Sequence, residues 1–393
     1  MEKARFKWVL RERNRKIAAK TEVFTEQQAR RVRSFHSSFK EYSPTPLIEL
    51  TSLAQHLGIK NLFVKDESYR FELNAFKVLG GSFAIGSYIA NELGEDIDDL
   101  PYMRLVSDEV RSLLGSKTFI TTTDGNHGRG VAWTANRLKQ QAIVYMPQGS
   151  AAERLANIRA EGAQAEITDM NYDDTVRYTS ELAQKNGWII VQDTAWDGYT
   201  RIPLWIMQGY MTMALEAYEQ LPVKPTHIFL QAGVGSLAGS VQGFFADIYG
   251  SSCPLTFIVE PKGADCLYQT AAANDGSLHS VTGRLETIMA GLACGEPNSI
   301  AWEILGNLSD GFISCPDYTA AQGMRILGNP LAGDTKVSAG ESGAATVGLV
   351  AEAMRDERLS DLKQALQLDE NSVVLCFNTE VVSFGTEHGG ENK

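Results

Sequence analysis

From Thr118 onward, short apolar runs alternate with longer amphipathic segments. Phe119–Thr122, Ala142–Met146, Gln164–Ile167 and Trp188–Gln192 read as strands. Helical stretches separate them, one running to about Leu138 and two at Ala151–Glu161 and Tyr172–Lys185. A strand that must travel through a helix before the next strand pairs in parallel, so this order constrains the fold to βαβ units. After an irregular stretch to Ile202 and a helix at Pro203–Gln220, the alternation resumes. Strands fall at His227–Leu230, Leu255–Val259, Gly311–Ser314 and Val373–Phe377, with helices at Ser299–Leu308, Thr319–Leu327 and Ser342–Met354. Upstream, Glu26–Phe39 and Leu50–Leu57 read as helices, Asn61–Lys65 as a strand, and residues 92–117 as an acidic, irregular surface segment. The expected class is α/β, with two lobes that each carry a mainly parallel sheet flanked by helices. Residues 82–192 form the smaller, inserted lobe, and 1–81 with 193–393 the larger one.

Bulk properties exclude several classes. The chain has 393 residues, 44% of them apolar, and a net charge of −12. That charge argues against nonspecific nucleic-acid binding and against docking on anionic membranes. No apolar run approaches the roughly 18 residues of a membrane span, and Met1–Lys20 lacks the apolar core of a signal peptide. The five cysteines show no zinc-type spacing. We therefore expect a cytoplasmic protein with reduced thiols and no metal site. Whether Cys266 and Cys294 meet is open.

Within this frame one lysine is out of place. Lys77 lies in the apolar stretch Asn74-Ala75-Phe76-Lys77-Val78-Leu79-Gly80-Gly81, which opens a helix running to about Asn91. Burial favours the neutral amine, a nucleophile toward carbonyls such as that of pyridoxal phosphate. The alternative is a lysine that snorkels to solvent. Gly233-Val234-Gly235-Ser236-Leu237 follows a strand and opens a helix, the arrangement that offers backbone amides to a phosphate. Gly233, Gly235 and Gly239 also lie one residue off a dinucleotide fingerprint, with Glu260 downstream as a ribose partner, so a nicotinamide oxidoreductase stays open. A tight turn that binds nothing is the third reading.

Thr123-Asp124-Gly125-Asn126-His127-Gly128 joins another strand to another helix. Its hydroxyl, glycines and helix start suit a carboxylate, and Asn126 suits a cofactor hydroxyl. Asp124 would repel a plain carboxylate, so it fits a substrate with a second amine, a proton carrier or a simple N-cap. His127 reads as structural. Asp193 sits at a strand end where α/β sites gather polar groups, or is an ordinary turn residue. Ser342, in Gly340-Glu341-Ser342-Gly343, either walls a cofactor ring or belongs to a small-residue helix contact. Thr379 ends the last strand and either faces a pyridine nitrogen or has no role.

Taken in order, Pro44-Thr45-Pro46-Leu47, Lys65-Asp66-Glu67-Ser68, Leu73 to Lys77, Thr121 to Gly130, Gln192 to Trp196, Gln231 to Ala238, Met289 to Gly295 and Gly340 to Ala345 resemble the fold-type II pyridoxal-phosphate enzymes. That group includes the tryptophan synthase β-subunit and the threonine dehydratases. The resemblance is closer still to the diaminopropionate ammonia-lyases, a reading favoured by Asp124, where dehydratases of the wider class usually carry a small residue. The resemblance implies a homodimeric carbon–nitrogen lyase that converts D- and L-2,3-diaminopropionate to pyruvate and two ammonia. It makes Lys77 the Schiff-base lysine and Lys77 with Asp124 the proton-handling pair. Gly233, Val234, Gly235, Ser236 and Leu237 hold the phosphate, Asn126 and Thr379 hold the ring, and Thr123, Asp124, Asp193 and Ser342 meet the substrate. A serine or threonine dehydratase and a non-catalytic pyridoxal-phosphate-binding relative are the alternatives. One departure stands out: after Thr379-Glu380 the family turns through a glycine and an acidic residue, whereas this chain continues Val381-Val382-Ser383-Phe384.

Overall fold

The computed structural model describes residues 6–13, 21–123 and 125–381. Among the described residues, eleven strands divide between two sheets. β1 (Lys7–Leu10), β2 (Leu47–Glu49), β3 (Asn61–Asp66), β8 (His227–Gln231), β9 (Leu255–Pro261), β10 (Gly311–Cys315) and β11 (Val373–Asn378) build a seven-stranded sheet in the order β1-β10-β9-β8-β11-β3-β2. The inner strands are parallel, and the two edge strands run antiparallel. β4 (Thr118–Thr122), β5 (Gln141–Met146), β6 (Gln164–Ile167) and β7 (Ile189–Ile190) form a parallel sheet in the order β6-β5-β4-β7. β8 and β11 are wholly buried, with apolar central residues on both faces, as strands covered by helices on both sides must be.

Three helices meet where the two sheets adjoin. Lys77–Leu93 packs against Arg201–Gln220 on one side and Asn126–Arg137 on the other. Glycines allow these approaches. A Cβ on Gly209 would meet the Leu79 carbonyl and stand 2.7 Å from Gly80 Cα, and one on Gly130 would stand 2.9 Å from Val78 Cα. Distances this short cannot be relieved by rotating a side chain, because backbone stands on both sides. The lysine helix is thus clamped between elements of both sheets, with its first residue at the junction.

Some expectations need correction. β1, absent from the sequence reading, is an antiparallel edge strand paired with β10. Residues 92–117 hold short helices at Ile97–Asp99, Tyr102–Leu105 and Asp108–Leu114. The last is capped by Ser107, which accepts from the Val110 amide at 3.2 Å. Cys266–Ala273 and Ser360–Ala365 are further helices. Among the described residues no helix is long and apolar enough to cross a membrane.

Candidate active site

The segment that delivers Lys77 leaves β3 through a tight turn, Glu67–Glu72, and places the lysine at the first position of its helix. Phe71, Glu72 and Asn74 have φ of 51°, 60° and 60°. Left-handed backbone of this kind costs about 1–2 kcal/mol per non-glycine residue. Such strain persists only where the surroundings hold it. Here Arg70, fully buried, donates to Glu67 at 2.7 and 2.8 Å and to Glu216 at 3.0 and 2.7 Å. Glu216 also accepts from Lys65 (2.7 Å), the Tyr42 hydroxyl (2.9 Å) and the Thr45 amide (3.1 Å). Two cations and two carboxylates make the cluster neutral. Burial opposes the Lys65 ammonium and lowers its pKa. Burial alone would raise that of Glu216, but Arg70 and Lys65 outweigh it and bring it down to about 2. On the far side, the Phe76 amide donates to Thr379 O (3.1 Å) and the Val381 amide to Asn74 O (3.0 Å), tying the lysine segment to the extension of β11.

Lys77 Nζ pairs with Asp193 Oδ2. His127 donates from Nε2 to the Val191 carbonyl at 2.7 Å, which turns Nδ1 toward the same carboxylate at 4.0 Å. Burial would raise the Asp193 pKa, yet the charges of Lys77 and His127 lower it to about 2. Asp193 is therefore a fixed anion beside the amine. Gln192 helps to set it: its side-chain oxygen accepts from the Thr122 amide at 3.0 Å. Ser236 Oγ donates to the Asp193 carbonyl at 2.6 Å and accepts from Asn298 at 2.8 Å. Its hydroxyl is thus committed to the scaffold, and its amide is what it offers a ligand.

That amide belongs to the glycine turn between β8 and helix Ser236–Tyr249. Gly235 has φ of 99°, which favours glycine. The first helical hydrogen bond runs from the Gly239 amide to Gly235 O (2.8 Å), so Ser236 and Leu237 lie in the open first turn, where amides face outward. The dinucleotide alternative fails on two residues. A Cβ on Gly239 would stand 3.0 Å from Ala301 Cα, so this glycine serves helix packing. Glu260 accepts from the Leu267 and Tyr268 amides at 2.8 and 2.7 Å, so it caps helix Cys266–Ala273 inside the core. Burial raises its pKa well above the usual carboxylate range.

One cavity brings together Lys77, Asn126, Asp193, Gly233 to Leu237, Ser342 and Thr379. These residues come from both lobes of the sequence reading. Thr123 does not line it; its hydroxyl accepts from the Gly125 and Gly128 amides at 2.9 and 3.1 Å and so shapes the turn from behind. Asp124 lies outside the described residues. Among the liners outside the expected site residues are three polar side chains, Glu380, Arg154 and Gln231. Cys266 and Cys294 are not joined in a disulfide, and both lie beside Gly233.

The donor set suits pyridoxal phosphate. Outward amides meet the needs of a phosphate, and Lys77 those of an aldehyde. Gln231 Nε2 donates to Thr379 Oγ1 at 3.2 Å, which leaves the threonine hydrogen for an acceptor such as an unprotonated pyridine nitrogen. Ser342 Oγ and Gln231 Oε1 are buried cavity liners with no hydrogen-bond partner among the described residues, as expected where a polar ligand completes the site.

Known proteins share this fold. The model of the pyridoxal-phosphate dependent enzyme family matches residues 39–379. A diaminopropionate ammonia-lyase of Salmonella typhimurium is 52% identical over 354 residues, 89% of this chain and 88% of that protein. The crystal structure of the holo diaminopropionate ammonia lyase from Escherichia coli superposes with a TM-score of 0.88 at 48% identity, covering 96% of this chain and 94% of that one. The same enzyme in complex with D-serine gives a TM-score of 0.88 at 46% identity, with the same coverage.

Proposed function

The chain belongs to the pyridoxal-phosphate-dependent enzymes and, among them, to the diaminopropionate ammonia-lyases; on that premise we propose that it eliminates ammonia from D- and L-2,3-diaminopropionate, and that water then hydrolyses the unsaturated amino acid left behind to pyruvate and a second ammonia. The observation that carries this reading is the Lys77–Asp193 pair facing a cavity floored by the glycine turn. When bound, pyridoxal phosphate supplies an electron sink for the pair left at the substrate's Cα. Every other task falls to the protein.

The amides of Gly233 to Leu237 would hold the phosphate, Thr379 would donate to the ring nitrogen and Asn126 to the ring hydroxyl. Lys77 would anchor the cofactor, and its amine takes the Cα proton of one enantiomer. Asp193 stabilises the ammonium that results, so this proton transfer runs toward an ion pair rather than an isolated buried charge. Asp124 takes the proton of the other enantiomer and sets the preference for a diamine. Thr123 shapes the turn that receives the carboxylate, and Ser342 meets the substrate with its unpartnered hydroxyl. Residues 82–192 act as the smaller lobe over 1–81 and 193–393. The working form in this reading is a cytoplasmic homodimer.

The test is product stoichiometry. Cofactor-loaded protein should release pyruvate and ammonia in a 1:2 ratio from both enantiomers. Turnover of serine or threonine at equal or greater kcat/KM would favour the dehydratase reading instead.

A further inference from the structure

Glu380 has no part in the reading above, yet its carboxylate stands in the cofactor cavity. Its backbone is fixed on two sides: the Gly340 amide donates to Glu380 O at 2.9 Å, and Glu380 forms an antiparallel bridge with Ala75, two residues before Lys77. The carboxylate lies over glycines. A Cβ on Gly340 would approach Glu380 Oε1 at 3.2 Å, and one on Gly291 would come within 3.9 Å. Oε2 accepts a hydrogen bond from Asn126 Nδ2.

That bond decides how Asn126 faces the cavity. A carboxamide presents an oxygen at one end and two N–H groups at the other, and alone it is free to flip. An ionised carboxylate only accepts. Glu380 therefore draws the nitrogen end of Asn126 inward and occupies one of its hydrogens. The second hydrogen remains for a ligand oxygen. Resting on the cofactor reading above, we infer that Glu380 is a positioning residue: it orients the Asn126 carboxamide so that an N–H, not the carbonyl, meets the phenolic oxygen of pyridoxal phosphate. The arrangement also joins the ring hydroxyl contact to the lysine segment, since one strand extension carries Glu380 and pins Ala75 and Phe76.

The discriminating probe is 3-deoxypyridoxal phosphate, which lacks that oxygen. Dissociation constants for both compounds would be measured by equilibrium dialysis against the full-length apo protein. The ratio of the two is internal to each protein, so a general loss of stability cancels. The wild type should favour pyridoxal phosphate by about tenfold, as a hydrogen bond to a charged oxygen provides. Glu380→Met, of similar length but with no acceptor oxygen, should cut the preference to about twofold. Glu380→Gln, which keeps an acceptor at the same reach, should retain an intermediate preference. Asn126→Ala should match Glu380→Met, and the double variant should lose nothing more. An undiminished preference in Glu380→Met, with both compounds weakened alike, would overturn the inference and leave Glu380 a brace of the strand. Failure of the wild type to bind either compound would instead bring down the cofactor reading, and this inference with it.

Discussion

Glu216→Gln is the sharpest test of how the lysine segment is held. Glu216 is 2% exposed and receives Lys65, both Nη groups of Arg70, Tyr42 and the Thr45 amide. Glutamine has the same shape but no charge, and its NH₂ would face other donors. The cluster of Lys65, Arg70, Glu67 and Glu216 would then carry one uncompensated positive charge in the core. Removing one partner of a buried ion pair costs about 3–5 kcal/mol, a large part of the 5–15 kcal/mol that typical domains possess. Urea titration should show a lower midpoint at unchanged slope. The pH dependence provides a second arm. Glu216 falls from its ordinary 4.5 to about 2 on folding. Its stabilisation is therefore fully present above pH 4.5 and lost as pH falls from there toward 2. The gap between wild type and variant should therefore narrow across this window. Replacing Lys65 with Met in the same variant restores neutrality and should recover part of the loss. A cost below about 1 kcal/mol at neutral pH, or a gap indifferent to acid, would refute the claim that this charge matters.

Other predictions bear on the site. Asp193→Asn removes the anion beside Lys77 and should lower kcat by about a hundredfold or more with both enantiomers, while the fold, followed by circular dichroism, stays intact. Asp124→Asn should abolish turnover of one enantiomer and largely spare the other; separate D and L assays read this directly, and equal rates for both at wild-type level would end the two-base proposal. Gly209→Ala forces a Cβ against the backbone at Leu79 and Gly80. It should cost about 1–3 kcal/mol by denaturation and reduce turnover, because the displaced helix carries Lys77.

How far the site was legible depended on sequence distance. Lys77 and Gly233 to Leu237 each announce their chemistry within a few residues: an amine among apolar neighbours, and glycines between a strand and a helix. Alternating strands and helices betrayed the parallel sheets for the same reason. Glu380 could not be found that way. It looks like an ordinary strand-end glutamate until β11 carries it to Asn126, 254 positions away. Gly239 misled because helix-packing glycines and phosphate-turn glycines are spelled alike; only Ala301 on its far side distinguishes them. β1 was hidden by the lysines and arginines around Trp8 and Val9, since an edge strand with one partner does not need an apolar run. The helices between 92 and 117 span only three to seven residues each, too few to show a helical period. The cluster of Lys65, Glu67, Arg70 and Glu216 reads in sequence as scattered surface charge; its pairing arises only when helix Arg201–Gln220 crosses β3.

The central claim is that Lys77 is the covalent anchor of pyridoxal phosphate. Borohydride reduction of the cofactor-loaded protein, followed by peptide mass spectrometry, tests it most directly. The account predicts a single phosphopyridoxyl modification on the peptide containing Lys77, and in Lys77→Ala the loss of both that modification and the visible absorption of the bound cofactor. Modification at another lysine, or an undiminished absorption band in Lys77→Ala, would contradict it.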